Sequence, residues 1–101
     1  MPAEITLTYT TTALLQSIRS GNAYGFELMQ ATGLPSGTVY PALRRLENAG
    51  LIRSEWEKDE AAFAGVRPPR KYYRLSASGE QALQASLKRF RMMGAMSSAA
   101  E

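Results

Sequence analysis

A chain of 101 residues, 45% hydrophobic and 21% charged, suits a soluble globular protein with a single modest core. It contains neither cysteine nor histidine. That removes disulfides, thiolate and imidazole metal sites and the commonest general base, so composition points away from an enzyme and no metal or cofactor is expected. Net charge is only +3, yet Arg67, Arg70, Lys71 and Arg74 fall close together with no acid among them, the kind of basic cluster that meets nucleic acid.

The N-terminus shows no basic stretch leading into an apolar run, and no segment approaches the roughly 20 apolar residues that a bilayer crossing requires. The expectation is a cytoplasmic protein with no membrane partner. Residues 5–9 alternate apolar and polar and are compatible with strand or helix. Leu14 and Ile18, four apart, predict a first helix over about residues 10–19, stopped by Ser20, Gly21 and Asn22. A second helix is expected over about residues 24–31, with Phe26, Met29 and Leu28 turned inward. Gly25 costs on the order of 1 kcal/mol inside a helix, less in its first turn, where the missing side chain admits another backbone.

Gly33, Leu34 and Pro35 form a turn. Ser36 is expected to cap a third helix, residues 37 to about 48, which Gly50 closes. Val39, Leu43 and Leu46 make its buried stripe, while Thr38, Tyr40, Pro41, Arg44 and Arg45 lie off it. Pro41 frees a carbonyl and crowds the preceding turn, and a broken local rule often marks a functional position. From Leu51 the period becomes two. Ile52, Ser54 and Trp56 share one side of a strand and Arg53, Glu55 and Glu57 the other. Residues 58–69 read as a flexible connection stiffened at its end by Pro68 and Pro69, and Lys71, Tyr72, Tyr73, Arg74 and Leu75 return as a second strand. Ser76 caps a fourth helix with Leu83, Leu87 and Phe90 on one stripe, fraying beyond Arg91.

Helix, tight turn, helix and hairpin make a winged helix-turn-helix: mainly α with a small β-hairpin, residues 1–75 forming the DNA-binding domain (wing about 52–75) and residues 76–101 a C-terminal dimerisation helix and tail. The third helix would enter the major groove. Thr38 and Tyr40 meet base edges or phosphates, Arg44 reaches phosphate or guanine, and the amides around Ser36 and Gly37 favour a phosphate. Arg67, Arg70 and Lys71 form a stiff basic edge for the DNA backbone or minor groove, and the acidic Glu55, Glu57, Asp59 and Glu60 must point away or pair with that edge. Trp56, Tyr72 and Tyr73 are expected as core under the wing rather than as a ligand-stacking set. Leu83, Leu87 and Phe90, with Met92, Met93 and Met96 beyond them, exceed what so small a core absorbs. Burial against a second subunit is therefore expected, with Leu14 and Ile18 of the first helix, which pairs two recognition helices on a palindromic operator. The competing reading is a winged-helix module for protein contacts, its basic wing meeting an acidic partner.

Tyr24-Gly25-Phe26-Glu27-Leu28, then the run from Ser36 to Glu47 with its Gly-Thr-Val-Tyr-Pro core, then Gly50-Leu51-Ile52, resemble the PadR family of transcriptional regulators. The run from Arg67 to Ser76, with Gly79 following, looks like that family's wing and the opening of its C-terminal helix. The resemblance covers about residues 12–90 and is to the short form, without the large helical C-terminal domain of longer members. It implies a homodimeric repressor of double-stranded DNA that leaves its operator when a small-molecule effector binds or conditions change. It also implies that Tyr24, Thr38, Tyr40, Pro41 and Arg44 face DNA with Arg70 and Lys71, and that the C-terminal helix carries dimerisation with help from the N-terminal one.

Overall fold

The computed structural model describes residues 7–58, 65 and 67–100, with side chains as far as Met92. In chain order it comprises α1 (Tyr9–Arg19), α2 (Gly25–Thr32), α3 (Ser36–Asn48), β1 (Ile52–Trp56), β2 (Lys71–Leu75) and α4 (Ala77–Ala100). The expected mostly helical fold with one hairpin is what forms. Among the described residues no helix is long and apolar enough to cross a membrane.

The alternating N-terminal segment resolves into a helix entry. Leu7 is buried, and the Thr8 hydroxyl accepts the Thr11 amide at 3.1 Å, capping α1 one residue earlier than expected. Ile5 and Thr6 lie outside the described residues. α2 closes on Gly33, whose φ of 74° only glycine adopts cheaply and whose amide reaches the Met29 carbonyl at 2.8 Å. β1 and β2 pair antiparallel, Ile52 opposite Leu75 and Trp56 opposite Lys71. The hairpin is tied to the helices by the Tyr73 amide donating to the Ala23 carbonyl at 2.7 Å and by a bridge between Tyr24 and Tyr72.

Helices, turn and hairpin all feed one core: Leu14 and Leu15 from α1, Leu28 from α2, Val39 and Leu43 from α3, Ile52 from β1 and Leu83 from α4 have at most 1% of their surface exposed. Each such side chain contributes roughly 1.5–3 kcal/mol of transfer free energy, which is how so short a chain offsets the entropy of folding. α4 is fastened at two places. Near its middle, the Ser86 and Thr12 hydroxyls share a buried 2.7 Å hydrogen bond, and Arg89 donates to the Leu7 carbonyl. At its start, the Ser76 hydroxyl donates to the Gly50 carbonyl at 2.6 Å and accepts the Gly79 amide at 3.0 Å. Gly79 lies so close to the preceding turn that a Cβ there would sit 1.9 Å from the Leu51 carbonyl oxygen.

Four expectations need correction. Leu14, Ile18 and Leu83 fill this chain's own core and offer little or no surface to a second copy. A periodic stripe marks what is buried, not by which chain. Phe26 is 60% exposed rather than inward, because Leu28 occupies the core side of α2. Trp56 is 59% exposed, since β1 runs past the edge of the helical layer that covers Ile52. α4 also continues to Ala100 instead of fraying beyond Arg91; its distal Met and Ala residues are good helix formers. The side chains of Met93 and Met96, and the wing tip with Asp59 and Glu60, lie outside the described residues.

Candidate nucleic-acid interface

Two features of the sequence shape the start of α3. Pro35, with φ −75° and ψ 161°, is itself the N-cap, and its carbonyl accepts the amides of Thr38 at 2.9 Å and Val39 at 3.0 Å. Ser36 is therefore the first helical residue and not the cap, because the extended ψ of Pro35 keeps that residue outside the helix while its carbonyl already accepts helical amides. No side-chain hydrogen bond caps the helix, and Ser36 and Gly37 are both exposed at its positive end. Val39, Ala42, Leu43 and Leu46 turn inward, which leaves Tyr40, Pro41 and Arg44 exposed on the opposite side with Thr38 half-buried beside them. The helix runs through Pro41 to Asn48. Pro41 has no amide to donate to the Gly37 carbonyl four residues back, so that carbonyl loses its usual helical partner.

Tyr40 lies across the first turn of α2. A Cβ on Gly25 would meet its hydroxyl oxygen at 2.3 Å and two ring carbons at 2.6 Å. The close approach expected at Gly25 is real, but a side chain of α3 makes it rather than a backbone.

Glu57 organises the wing. Arg67 grips its carboxylate with two 2.6 Å hydrogen bonds, the Arg70 amide donates at 3.1 Å, and the Tyr72 hydroxyl donates at 3.1 Å. The Arg67 hydrogen bond is the main reason its pKa falls to about 2, outweighing the opposing effect of burial. Acid and base within the wing thus pair, as the charge pattern required. Arg67, expected at the DNA, pairs with Glu57 and so also shapes the wing.

Two further wing cations flank α3. The Arg70 guanidinium lies 4.2 Å over the Tyr24 ring, and Tyr24 meets Tyr72 edge-on at 5.7 Å. The Lys71 ammonium is 3.7 Å from Glu47 and 5.7 Å from the centre of the Trp56 ring. Glu47 also accepts the Ser54 hydroxyl. Burial, followed by the nearby Glu47 charge, raises the pKa of Tyr73. Between α3 and the wing opens a cleft of about 660 Å³, walled by Tyr24, Phe26, Tyr40, Trp56 and Tyr73 with Arg44 and Arg70 at its margin.

Tyr24, Tyr40, Arg44, Arg70 and Lys71 are therefore gathered around one cleft, while Ser36, Gly37, Thr38 and Pro41 belong to the same end of α3. Sequence periodicity missed Trp56 and Phe26 as members of this set.

A basic, outward-facing second helix of a helix-turn-helix with a hairpin wing beside it defines a winged-helix DNA-binding module. Residues 14–85 match the model of the transcriptional regulator PadR-like family, and the chain belongs to that family. A PadR-like transcription factor of Bacteroides fragilis superposes with a TM-score of 0.74 at 25% identity, over 90% of this chain and 88% of that one. A PadR family transcriptional regulator of Eggerthella lenta gives 0.70 at 27% identity, over 88% and 80%. One from Clostridium difficile shares the fold with a TM-score of 0.76 at 24% identity, over 88% and 94%. Among curated proteins none matches.

Proposed function

We propose that this DNA-binding regulator is a homodimeric cytoplasmic repressor that holds a palindromic operator through α3 and the wing and is released by an effector. The observation that carries the DNA-facing assignment is the exposed row Tyr40, Pro41 and Arg44 beside Arg70 and Lys71. The row supplies base-reading side chains, and the wing supplies phosphate-binding charge. The uncapped α3 terminus at Ser36 and Gly37 adds an anion site. In this reading residues 1–75 contact DNA and residues 76–101 pair the two chains. Support for pairing comes from Tyr9, 75% exposed, packed edge-on against Phe90 at 5.7 Å, and from Met92, 57% exposed, next along α4. These, with Leu87, are the large apolar side chains that α1 and α4 keep at the surface, among the described residues, once Leu14, Ile18 and Leu83 are assigned to the core.

The test is anisotropy titration of DNA from upstream of the protein's own gene, against a scrambled duplex and across a salt series. Specific binding that weakens steeply with salt is expected, and Arg70→Ala in the wing should lower the slope of log K against log salt by about 1 per protomer. Equal affinity for the scrambled duplex would overturn the operator reading. A reporter placed behind the same DNA should be silenced; activation would overturn the repressor reading.

A further inference from the structure

In the reading above, the cleft between α3 and the wing faces a polyanion, yet one of the described residues lining it is an acid. Glu47 stands there among Arg44, Arg70 and Lys71. A carboxylate at that place repels phosphates, and in the last turn of α3 it also opposes the negative end of the helix. Neither DNA nor the helix gains from its charge, so the reason for it lies in what it holds.

Glu47 holds the wing by both strands. The Ser54 hydroxyl of β1 donates to one carboxylate oxygen, and the Lys71 ammonium of β2 lies 3.7 Å from the other. The rings of Trp56 and Tyr73 stand 5.7 and 5.9 Å from that ammonium, so Lys71 sits between a carboxylate and two ring faces. Both partners of the ion pair keep only 35% of their side-chain surface in water, which strengthens the attraction over that of a fully exposed pair. Arg70, one residue away, differs: its guanidinium stacks on Tyr24 and meets no carboxylate among the described residues.

We infer that Glu47 is a specificity-determining residue that acts by position: it fixes the wing against the recognition helix and cancels the charge of Lys71, giving up affinity for DNA in general to sharpen the choice of operator. The inference rests on the DNA-facing role of α3 and the wing. It divides the wing's charge, Arg70 offering its own freely and Lys71 only against Glu47. Sequence-independent binding grows with the number of phosphates neutralised and asks nothing of register, so an uncancelled Lys71 strengthens it. Operator binding needs base contacts from α3 and phosphate contacts from the wing at once, so a wing free to shift loses part of them. The ratio of the two affinities removes the common effect of charge and reads register alone.

Anisotropy titrations of upstream DNA and of a scrambled duplex, each over a salt series, test both effects. Glu47→Gln removes the charge but leaves an oxygen to accept the Ser54 hydroxyl. It should tighten the scrambled duplex by about fivefold per protomer near 0.15 M salt and steepen its salt slope by about 1 per protomer, opposite in sign to Arg70→Ala. Adding Lys71→Ala should return the slope to the parent value. Glu47→Ala, which removes both ties, should raise scrambled binding equally and lower the operator-to-scrambled ratio by roughly tenfold. Ser54→Ala should lower that ratio with no change in slope. A residue that merely stabilised the fold would weaken both duplexes on removal and leave the slope alone. An unchanged or shallower scrambled slope in Glu47→Gln, or an unchanged ratio in Glu47→Ala, would overturn the inference. Should circular dichroism show Glu47→Ala unfolded, Ser54→Ala reads the ratio in its place. A parent that binds both duplexes equally fails the operator reading instead, and Glu47→Gln on the scrambled duplex still tests the cancelling of Lys71.

Discussion

Gly25→Ala separates the interface from the fold. Gly25 is buried at the start of α2, and its φ is not positive, so the backbone accepts alanine without strain. Helix propensity favours the change by up to about 1 kcal/mol, less in a first turn. The new Cβ nevertheless falls 2.3 Å from the Tyr40 hydroxyl, whereas ordinary contact begins at 3.4 Å, so the hydroxyl must retreat by about 1 Å. Tyr40 is 45% exposed and has solvent to swing into, which keeps the folding cost small. DNA does not forgive the same movement. Misplacing one base- or phosphate-contacting side chain costs on the order of 1–2 kcal/mol per half-site, roughly tenfold, and about a hundredfold for a dimer on two half-sites. The expected result is a melting temperature equal to or slightly above that of the parent with a large loss of affinity in anisotropy titration. In a double-mutant cycle, Gly25→Ala should have no further effect in a Tyr40→Ala background. Unchanged affinity would refute the placement of Tyr40 at the DNA. A melting temperature several degrees lower would show that something other than Tyr40 yields.

Gly79→Ala behaves oppositely, because the atom its Cβ would meet at 1.9 Å is the Leu51 carbonyl oxygen, a backbone atom that cannot rotate away. Undocking the first turn of α4 should cost about 3 kcal/mol in urea unfolding, and a loss near zero would mean that α4 is not held there. Glu57 predicts an acid-sensitive wing. Its unfolded carboxyl takes a proton near 4.5 and its folded one near 2, so the stabilisation is complete above pH 4.5 and lost as pH falls from 4.5 towards 2. Glu57→Gln should flatten that limb of a stability-against-pH curve, and a curve of unchanged shape would assign the acid sensitivity elsewhere. Leu83→Ala, at a fully buried site, should destabilise the chain by roughly 2–5 kcal/mol. Met92→Glu, at an exposed one, should leave the melt of the single chain alone and give monomers in light scattering. A persistent dimer would move the pairing surface off α4.

The buried side of α3 was legible because Val39, Leu43 and Leu46 obey a local period, and a local period is a property of adjacent residues. The same logic placed the hairpin from Ile52, Ser54 and Trp56, but alternation assigns only a face of the sheet. It says nothing of where the layer beneath that face stops, and here the layer covers Ile52 and ends before Trp56. Leu14 and Leu83 show the same limit for helices: a stripe demands burial, and only the fold decides whether the cover is one's own chain or a partner. What local rules did flag were the misfits. Pro41 inside a helix and Gly25 in a first turn both weaken their elements; Gly25 makes room for Tyr40, a contact between α2 and α3, and Pro41 stands exposed on the face of α3 that carries Tyr40 and Arg44. Trp56 belongs with them as an aromatic residue that no layer covers. Each of these residues costs the domain stability or leaves apolar surface in water; Gly25 and Trp56 line one cleft, and Pro41 is exposed next to Tyr40, which lines it too. A chain with so little core to spare keeps such costs where binding recovers them, which is why the site was most visible at the positions where the periodic pattern failed.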